Sequence, residues 1–145
     1  MMSGLTDQRA DLSLVSKSEL WQIRRTLAQV EEFLEERGFS QDRIGDINLV
    51  LAEAITNIVR HGYLDTTGEI RLSLSLEDGN LNCQLVDTGV AFDPEILGHA
   101  PPDPGKLKDG GYGWFIIRHL SRCVRYSHEN GHNSLSFTLP LSGSR

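Results

Sequence analysis

The chain has 145 residues, the length of one domain, and its 39% hydrophobic and 23% charged residues are typical of a globular protein. A formal net charge of −6 argues against a nucleic-acid-binding protein, which would carry a basic patch. Because no apolar run is long enough to span a membrane and the N-terminus lacks a secretory signal, we expect a cytoplasmic protein with no membrane contact.

One strand and two helices are predicted in the first half of the chain. Alternating residues over 9–15 indicate the strand, and Ser16 and Glu19 have the spacing of a helix capping box. Apolar residues then recur at helical spacing as far as Gly38, where a glycine suits the residue after a helix. Ser40 is expected to cap a second helix, which ends near Gly62.

Four strands in two hairpins and one short helix are predicted in the second half. Asp-Gly at 78–79 and Asn-Gly at 130–131 are dipeptides typical of tight two-residue turns. The predicted strands cover 69–76, 81–86, 123–127 and 134–139, and the helix covers 114–120. Hairpins with helices clustered elsewhere predict an α+β two-layer sandwich in which helices cover one face of a mixed sheet.

Two further features of the chain carry simple expectations. Residues 87–112 are rich in glycine and proline and have no period, which is typical either of a binding loop or lid or of a surface excursion. Cys83 and Cys123 stand far apart in apolar segments, which predicts two buried free thiols.

The second helix carries polar groups at positions that suit a nucleotide triphosphate. Glu53 and Asn57 lie one turn apart on one face, and Arg60 and His61 follow seven and eight residues beyond Glu53. An amide oxygen is a suitable ligand for Mg²⁺, and a carboxylate can accept a proton from an attacking hydroxyl. The same spacing also occurs on an ordinary solvated helix face, so it is a weak signal when taken alone.

Two later motifs suit the base and the phosphates of a nucleotide. Asp87 ends a strand just before Gly89, and a carboxylate there can accept a hydrogen bond from an exocyclic amino group while the glycine lets the backbone approach a flat base. An ordinary Asp-Thr-Gly turn is an equally good interpretation of this motif. Gly110, Gly111 and Gly113 lead into a helix, whose first N–H groups can bind an anion.

The order of these three motifs resembles that of the Bergerat-fold ATPases, which include histidine kinases. Within that superfamily, segments 51–63, 86–94 and 110–120 resemble the stand-alone anti-sigma-factor serine kinases, and the resemblance spans nearly the whole chain. It implies one ATPase domain over 1–145, with ATP and Mg²⁺ bound and a lid over about 88–112. Ala91 departs from the family, which often has a glycine there, and Tyr112 and Trp114 are bulkier than usual.

The resemblance also implies a role for each matching residue. Glu53 is expected to be the general base and Asn57 the Mg²⁺ ligand, while Arg60 and His61 border the phosphates. The adenine side is expected to consist of Asp87 with Gly89, and of Asn133 at a position where many relatives have a threonine that contacts adenine through water. The residues expected to hold the phosphates are Gly110, Gly111, Tyr112 and Gly113.

The function implied by the resemblance is phosphorylation of a small anti-anti-sigma protein on serine, with a sigma factor as the competing partner and a homodimer as the assembly. The sequence leaves two alternatives open. One is a non-catalytic module that binds a protein partner under the control of ATP, and the other is a regulator whose partner lies outside sigma-factor control.

Overall fold

The computed structural model describes residues 10–63, 66–90 and 111–141. Within them, three helices and five strands follow one another along the chain. In order, they are β1 (Leu12–Lys17), α1 (Leu20–Glu36), α2 (Gln41–Gly62), β2 (Glu69–Glu77), β3 (Asn80–Asp87), α3 (Gly111–Leu120), β4 (Arg122–Glu129) and β5 (His132–Pro140).

The strands form one sheet in the order β1-β2-β3-β5-β4. Each of the four pairings among these strands is antiparallel, so the expectation of a mixed sheet is wrong in this detail. Two successive helices separate β1 from β2, and together they return the chain so that β2 runs opposite to β1. β3 and β4 run in the same direction, but the hairpin partner β5 lies between them. The α+β sandwich itself is confirmed.

One face of the sheet is apolar and packs against the helices, as expected. Alternate residues of the central strands are buried there, while their neighbours on the other face are mostly polar and are partly buried or exposed. The buried strand residues join the helices in one hydrophobic core: Ile70, Leu72, Leu74, Leu81, Cys83, Leu85, Leu135, Phe137 and Leu139. The helices therefore lie on one side of the sheet, and the candidate site lies where α2 meets the end of the central strand β3.

The helix boundaries confirm two of the three predicted terminal signals. α1 ends in a Schellman motif, in which Gly38 has a φ of +84° and Phe39 N–H donates to Leu34 O at 3.2 Å. At the start of α2, the Ser40 side chain accepts from Arg43 N–H at 3.2 Å. The capping box is wrong, because Ser16 belongs to β1, where it pairs with Ile70 and is 4% exposed.

Both predicted two-residue turns are confirmed. Asp78 and Gly79 have φ values of 52° and 78°, and Asn130 and Gly131 have 53° and 79°. Positive φ at both central residues is the type I′ conformation that tight hairpins favour. The strands on either side are each longer than the predicted segments by one to three residues, and β1 begins later than predicted, at Leu12.

The two cysteines differ in environment, so the prediction of two buried thiols is wrong for Cys123. Cys83 faces the core, and burial raises the pKa of its thiol well above the ordinary value. Cys123 has a φ of 54° and lies in an irregular stretch of β4 between Arg122 and Arg125, where the strand turns it outward to solvent.

This difference predicts selective alkylation. Iodoacetamide at mild alkaline pH should modify Cys123 in the folded protein and leave Cys83 unmodified, because only Cys123 is accessible. Mass spectrometry of tryptic peptides would assign the label, and addition of urea should expose Cys83 as well. The variant Cys123→Ser serves as the control, and rapid labelling of that variant without urea would contradict the assignment of Cys83 to the core.

None of the helices in the described ranges is both long enough and apolar enough to cross a membrane.

Candidate nucleotide-binding site

The helix α2 brings Glu53 and Asn57 together, as their spacing predicts. Asn57 is 1% exposed, and its Nδ2 donates to the backbone carbonyl of Glu53 at 2.9 Å. Its Oδ1 is buried and accepts no hydrogen bond from the described part of the chain. An unsatisfied buried amide oxygen costs on the order of 1–3 kcal/mol, and this one lies beside a half-buried carboxylate, which makes it a candidate ligand for an external group. A hard cation such as Mg²⁺ fits this oxygen.

Arg60 and His61 occupy the last turn of α2. Arg60 is exposed and takes no part in the hydrophobic core. The backbone of His61 is helical. The roles of both residues at the phosphates stay predictions.

Asp87 is a buried carboxylate at the end of β3 and is 4% exposed. Its Oδ1 accepts two hydrogen bonds, one from Gly89 N–H at 2.8 Å and one from Asn133 Nδ2 at 2.9 Å. Burial raises the pKa of Asp87, while the hydrogen bonds from Asn133 and Gly89 and the nearby His128 oppose that rise. These contacts fix one carboxylate oxygen at the end of the central strand β3, and the role of Asp87 at the base stays a prediction.

Asn133 lies beside Asp87 because the two residues are direct partners across β3 and β5. Its Nδ2 also donates to Gly89 O at 2.9 Å, and its Oδ1 lies 2.5 Å from Nδ1 of His128. The structure therefore uses Asn133 to hold Asp87 and Gly89. The expected contact from Asn133 to adenine through water stays a prediction.

His128 is a site residue that the sequence interpretation missed. It is placed opposite Asn133 by the two-residue turn at Asn130 and Gly131, because such a turn fixes the pairing of every residue beside it. The turn was recognised in the sequence. Counting back from it by equal steps on both strands would have identified the pair.

Tyr63, just after α2, is a second residue whose role was missed. Its Oη accepts from Thr88 N–H at 3.0 Å and lies 3.1 Å from Glu69 O, to which it donates. The ring packs over Gly68, where an added Cβ would lie 2.4 Å from a ring carbon. Tyr63 thus connects the end of α2 to the residue that follows Asp87.

A close contact of two glycines joins the two halves of the site. Val90 N–H donates to Gly62 O at 3.2 Å, and a Cβ on Gly89 would lie 2.7 Å from that same oxygen. Real Cβ atoms do not approach a backbone oxygen so closely. In the structure, the missing side chain of Gly89 lets the end of α2 reach the end of β3, and its expected role in the approach of a base stays a prediction.

Alanine at Gly89 is therefore expected to destabilise the fold. We expect Gly89→Ala to lower the free energy of unfolding by about 1–3 kcal/mol, because backbone atoms have to move apart. The matched control is Gly45→Ala in α2, where a Cβ meets nothing within 4 Å and where alanine should raise stability by about 0.5–1 kcal/mol. Urea unfolding of both variants measures the difference, and equal stabilities would contradict the close contact.

The helix α3 starts three residues earlier than predicted, at Gly111 instead of Trp114. Gly111 and Gly113 thus belong to its first turn, and its buried residues Trp114 and Ile117 anchor it in the core beside α2. N–H groups in the first turn of a helix have no partner within the helix, so they remain available to an anion.

Part of the expected site lies outside the described residues. Gly110, Ala91 and most of the expected lid fall within 91–110, and the side chains of His61 and Tyr112 are likewise outside what the structure describes. The phosphate contacts expected of these residues stay predictions.

Comparison with known proteins assigns the family. A model of the histidine kinase-like ATPase domain matches residues 16–139. The chain belongs to this family. A relative from Bacillus thuringiensis (strain Al Hakam), named serine-protein kinase RsbW, is 31% identical over 131 residues, which are 86% of this chain and 80% of the relative. A serine-protein kinase RsbW of Oceanobacillus iheyensis is 34% identical over 101 residues, covering 65% of this chain and 64% of the relative.

Solved structures agree on the fold. The RsbU and RsbW domains of Rv1364c from Mycobacterium tuberculosis match with a TM-score of 0.66 at 24% identity, covering 92% of this chain and 33% of that one. The SiaB–SiaC complex from Pseudomonas aeruginosa matches with a TM-score of 0.62 at 16% identity, covering 94% and 93%. The family predicted from the three motifs is therefore confirmed.

Proposed function

We propose that this protein is an anti-sigma factor with serine kinase activity, which binds Mg·ATP and phosphorylates a small anti-anti-sigma protein. The observation that carries the proposal is the buried Oδ1 of Asn57, one helical turn from the Glu53 carboxylate. Asn48 on the same helix also has a buried Oδ1 without a donor among the described residues, but only the oxygen of Asn57 lies one helical turn from Glu53. Relatives named as serine-protein kinases support the same activity.

Binding of the nucleotide divides between the two ends of the site. Asp87 accepts a hydrogen bond from the adenine amino group through the carboxylate oxygen that Gly89 and Asn133 leave free. At the other end, the N–H groups of the first turn of α3 bind phosphate oxygens, with Arg60 as an additional cation. Residues 88–112 form the lid in this proposal.

Asn57 holds Mg²⁺ through Oδ1, and its Nδ2 is fixed by the carbonyl of Glu53. When bound, Mg²⁺ would supply positive charge that stabilises the negative charge on the phosphate oxygens during transfer. The protein's own contribution is to orient Asn57 Oδ1, which it does by burying the Asn57 amide on α2.

Glu53 accepts the proton of the incoming serine hydroxyl. The serine oxygen forms the new bond to the γ-phosphorus while the bond from that phosphorus to the bridging oxygen of ADP breaks, and the electron pair leaves with ADP. Such transfer requires positioning and charge neutralisation more than covalent chemistry by the protein. A single correctly placed base is therefore sufficient.

The remaining parts of the proposal follow from the family resemblance. A homodimer is the assembly, the sigma factor is the competing partner, and phosphorylation of the anti-anti-sigma protein changes which partner is bound.

Radiolabelled ATP tests this function directly. The purified protein is mixed with Mg²⁺, γ-labelled ATP and a candidate small anti-anti-sigma protein from the same organism, and with the same candidate carrying alanine at the acceptor serine. Label on the first partner and none on the second supports the kinase. Tight ATP binding with no labelled partner overturns the transfer step and favours an ATP-controlled binding module, and no ATP binding overturns the whole proposal.

A further inference from the structure

The direction of each hydrogen bond around Asn133 can be assigned from its partners. Nδ2 lies 2.9 Å from Gly89 O and 2.9 Å from Asp87 Oδ1. A backbone carbonyl only accepts, so the atom facing Gly89 O has to be the amide nitrogen. Both hydrogens of that nitrogen are then used, and the amide oxygen faces the opposite way, toward His128.

The orientation of Asn133 determines which proton His128 carries. Its Nδ1 is 2.5 Å from Asn133 Oδ1, an atom that only accepts. Nδ1 therefore bears a hydrogen and donates it, in the neutral ring as well as in the imidazolium. The hydrogen bonds run in one direction, from His128 to Asn133 and from Asn133 to Asp87.

The carboxylate at the end of this chain presents one oxygen to a ligand. Both hydrogen bonds that the described residues give to Asp87 end on Oδ1, which leaves Oδ2 as the acceptor for a base. The bond from Asn133 also lowers the pKa of Asp87 against the effect of burial and so favours the ionised, purely accepting form. An ionised oxygen attracts a 6-amino group and repels a 6-oxo group.

We propose that His128 is a positioning residue for base recognition, which acts through Asn133 to fix Asp87 and thereby sets the preference for a 6-amino purine over a 6-oxo purine. This inference rests on the proposed binding of ATP and concerns the adenine end of that site. His128 itself touches Asn133 and not the nucleotide, so its loss weakens the preference without removing the carboxylate.

Titration calorimetry with Mg·ATP and Mg·ITP tests the preference, because inosine differs from adenine by carrying an oxo group in place of the amino group. We expect the full-length protein to prefer ATP by about 10- to 100-fold. His128→Leu should reduce that preference by about three- to tenfold, mainly by weakening ATP binding.

Two further variants separate positioning from a general structural effect. His128→Asn should restore the preference, since the side-chain nitrogen of asparagine, like Nδ1 of histidine, is bonded to the carbon next to Cβ and can donate to Asn133. His132→Leu is the matched control on the same hairpin, because His132 is exposed and its ring has a hydrogen-bond partner only in Asn130 O, at 3.1 Å, among the described residues. An unchanged ATP-to-ITP ratio in His128→Leu, or equal losses in the leucine and asparagine variants, overturns the proposal.

A measurement without nucleotide separates this inference from the proposed function. The ¹⁵N chemical shifts of the neutral His128 ring report which nitrogen carries the hydrogen, and we expect Nδ1. An unprotonated Nδ1 overturns the hydrogen-bond chain even if ATP binds. A protonated Nδ1 in a protein that binds neither ATP nor ITP instead overturns the proposed function, and with it the base preference.

Discussion

Replacing Glu53 by glutamine is expected to lower the rate of phosphoryl transfer by about 10²- to 10⁴-fold, the usual contribution of a general base. Glutamine keeps the shape of the side chain but cannot accept the proton of the serine hydroxyl. The contact that orients Asn57 is retained, because Asn57 Nδ2 donates to the backbone carbonyl of Glu53 and not to its side chain. Mg·ATP affinity should therefore stay within about threefold of the unaltered value, a change of less than about 1 kcal/mol.

Single-turnover labelling of the partner, with ATP affinity measured on the same sample, tests this expectation. Glu36→Gln is the control, since Glu36 is an exposed glutamate at the end of α1, on a different helix from Glu53. If Glu53→Gln transfers phosphate at the full rate, Glu53 is not the base. A parallel loss in Glu36→Gln would mean that the assay reports charge instead of chemistry.

Replacing Asp87 by asparagine is expected to weaken nucleotide binding without lowering the stability of the fold near neutral pH. Mg·ATP affinity should fall by about 10- to 100-fold, because the group facing the adenine amino group becomes a donor in place of a charged acceptor. The fold should not lose stability near neutral pH. An asparagine Oδ1 can still accept from Gly89 N–H and from Asn133 Nδ2, as the carboxylate oxygen does.

The pH dependence of stability gives a second readout for Asp87→Asn. Burial raises the pKa of Asp87 in the folded protein above its value in the unfolded chain, so the folded state binds more protons between those two values. Its contribution to stability is thus present at acid pH, below the unfolded-state pKa, and is lost as the pH rises through the folded-state pKa. Because asparagine does not titrate, Asp87→Asn should not show this loss of stability as the pH rises.

Urea unfolding across the acid-to-neutral range, together with calorimetric titration of Mg·ATP, measures both effects. A variant that keeps full ATP affinity would contradict the role of Asp87 in base recognition. A variant that loses more than about 1 kcal/mol of stability at neutral pH would show that ionised Asp87 supports the fold, against the expected cost of its burial.

Features decided within a few neighbouring residues were predictable from the sequence. The Ser40 side chain caps the first turn of α2, and the positive φ of Gly38 ends the last turn of α1, so each signal acts only on the adjacent helical turn. The Asp-Gly and Asn-Gly turns have the conformation that their residue types favour. The Glu53–Asn57 pair followed in the same way from helical spacing.

Features decided by distant pairing were not predictable from local patterns. Ser16 has the spacing of a helix cap, but pairing with Ile70 draws it into β1. The antiparallel pairing of β1 and β2 depends on how the two intervening helices return the chain. The environment of Cys123 depends on an irregularity in β4. His128 is an exception, because counting back from the turn at Asn130 and Gly131 pairs it with Asn133, although its side chain alone gives no signal of binding.

The contact between Gly62 and Gly89 has a consequence for how such a site changes over evolution. Main-chain atoms, through the bond from Val90 to Gly62, set the separation between the helix that carries Glu53 and the strand that carries Asp87. A substitution at Glu53, or one at Asp87 that keeps an acceptor for Gly89 N–H, alters the chemistry at its own end and leaves that separation intact. Under the proposed function, catalysis and base preference are thus independently replaceable on one scaffold, and a nucleotide-dependent switch without transfer is a single side-chain change away from a kinase.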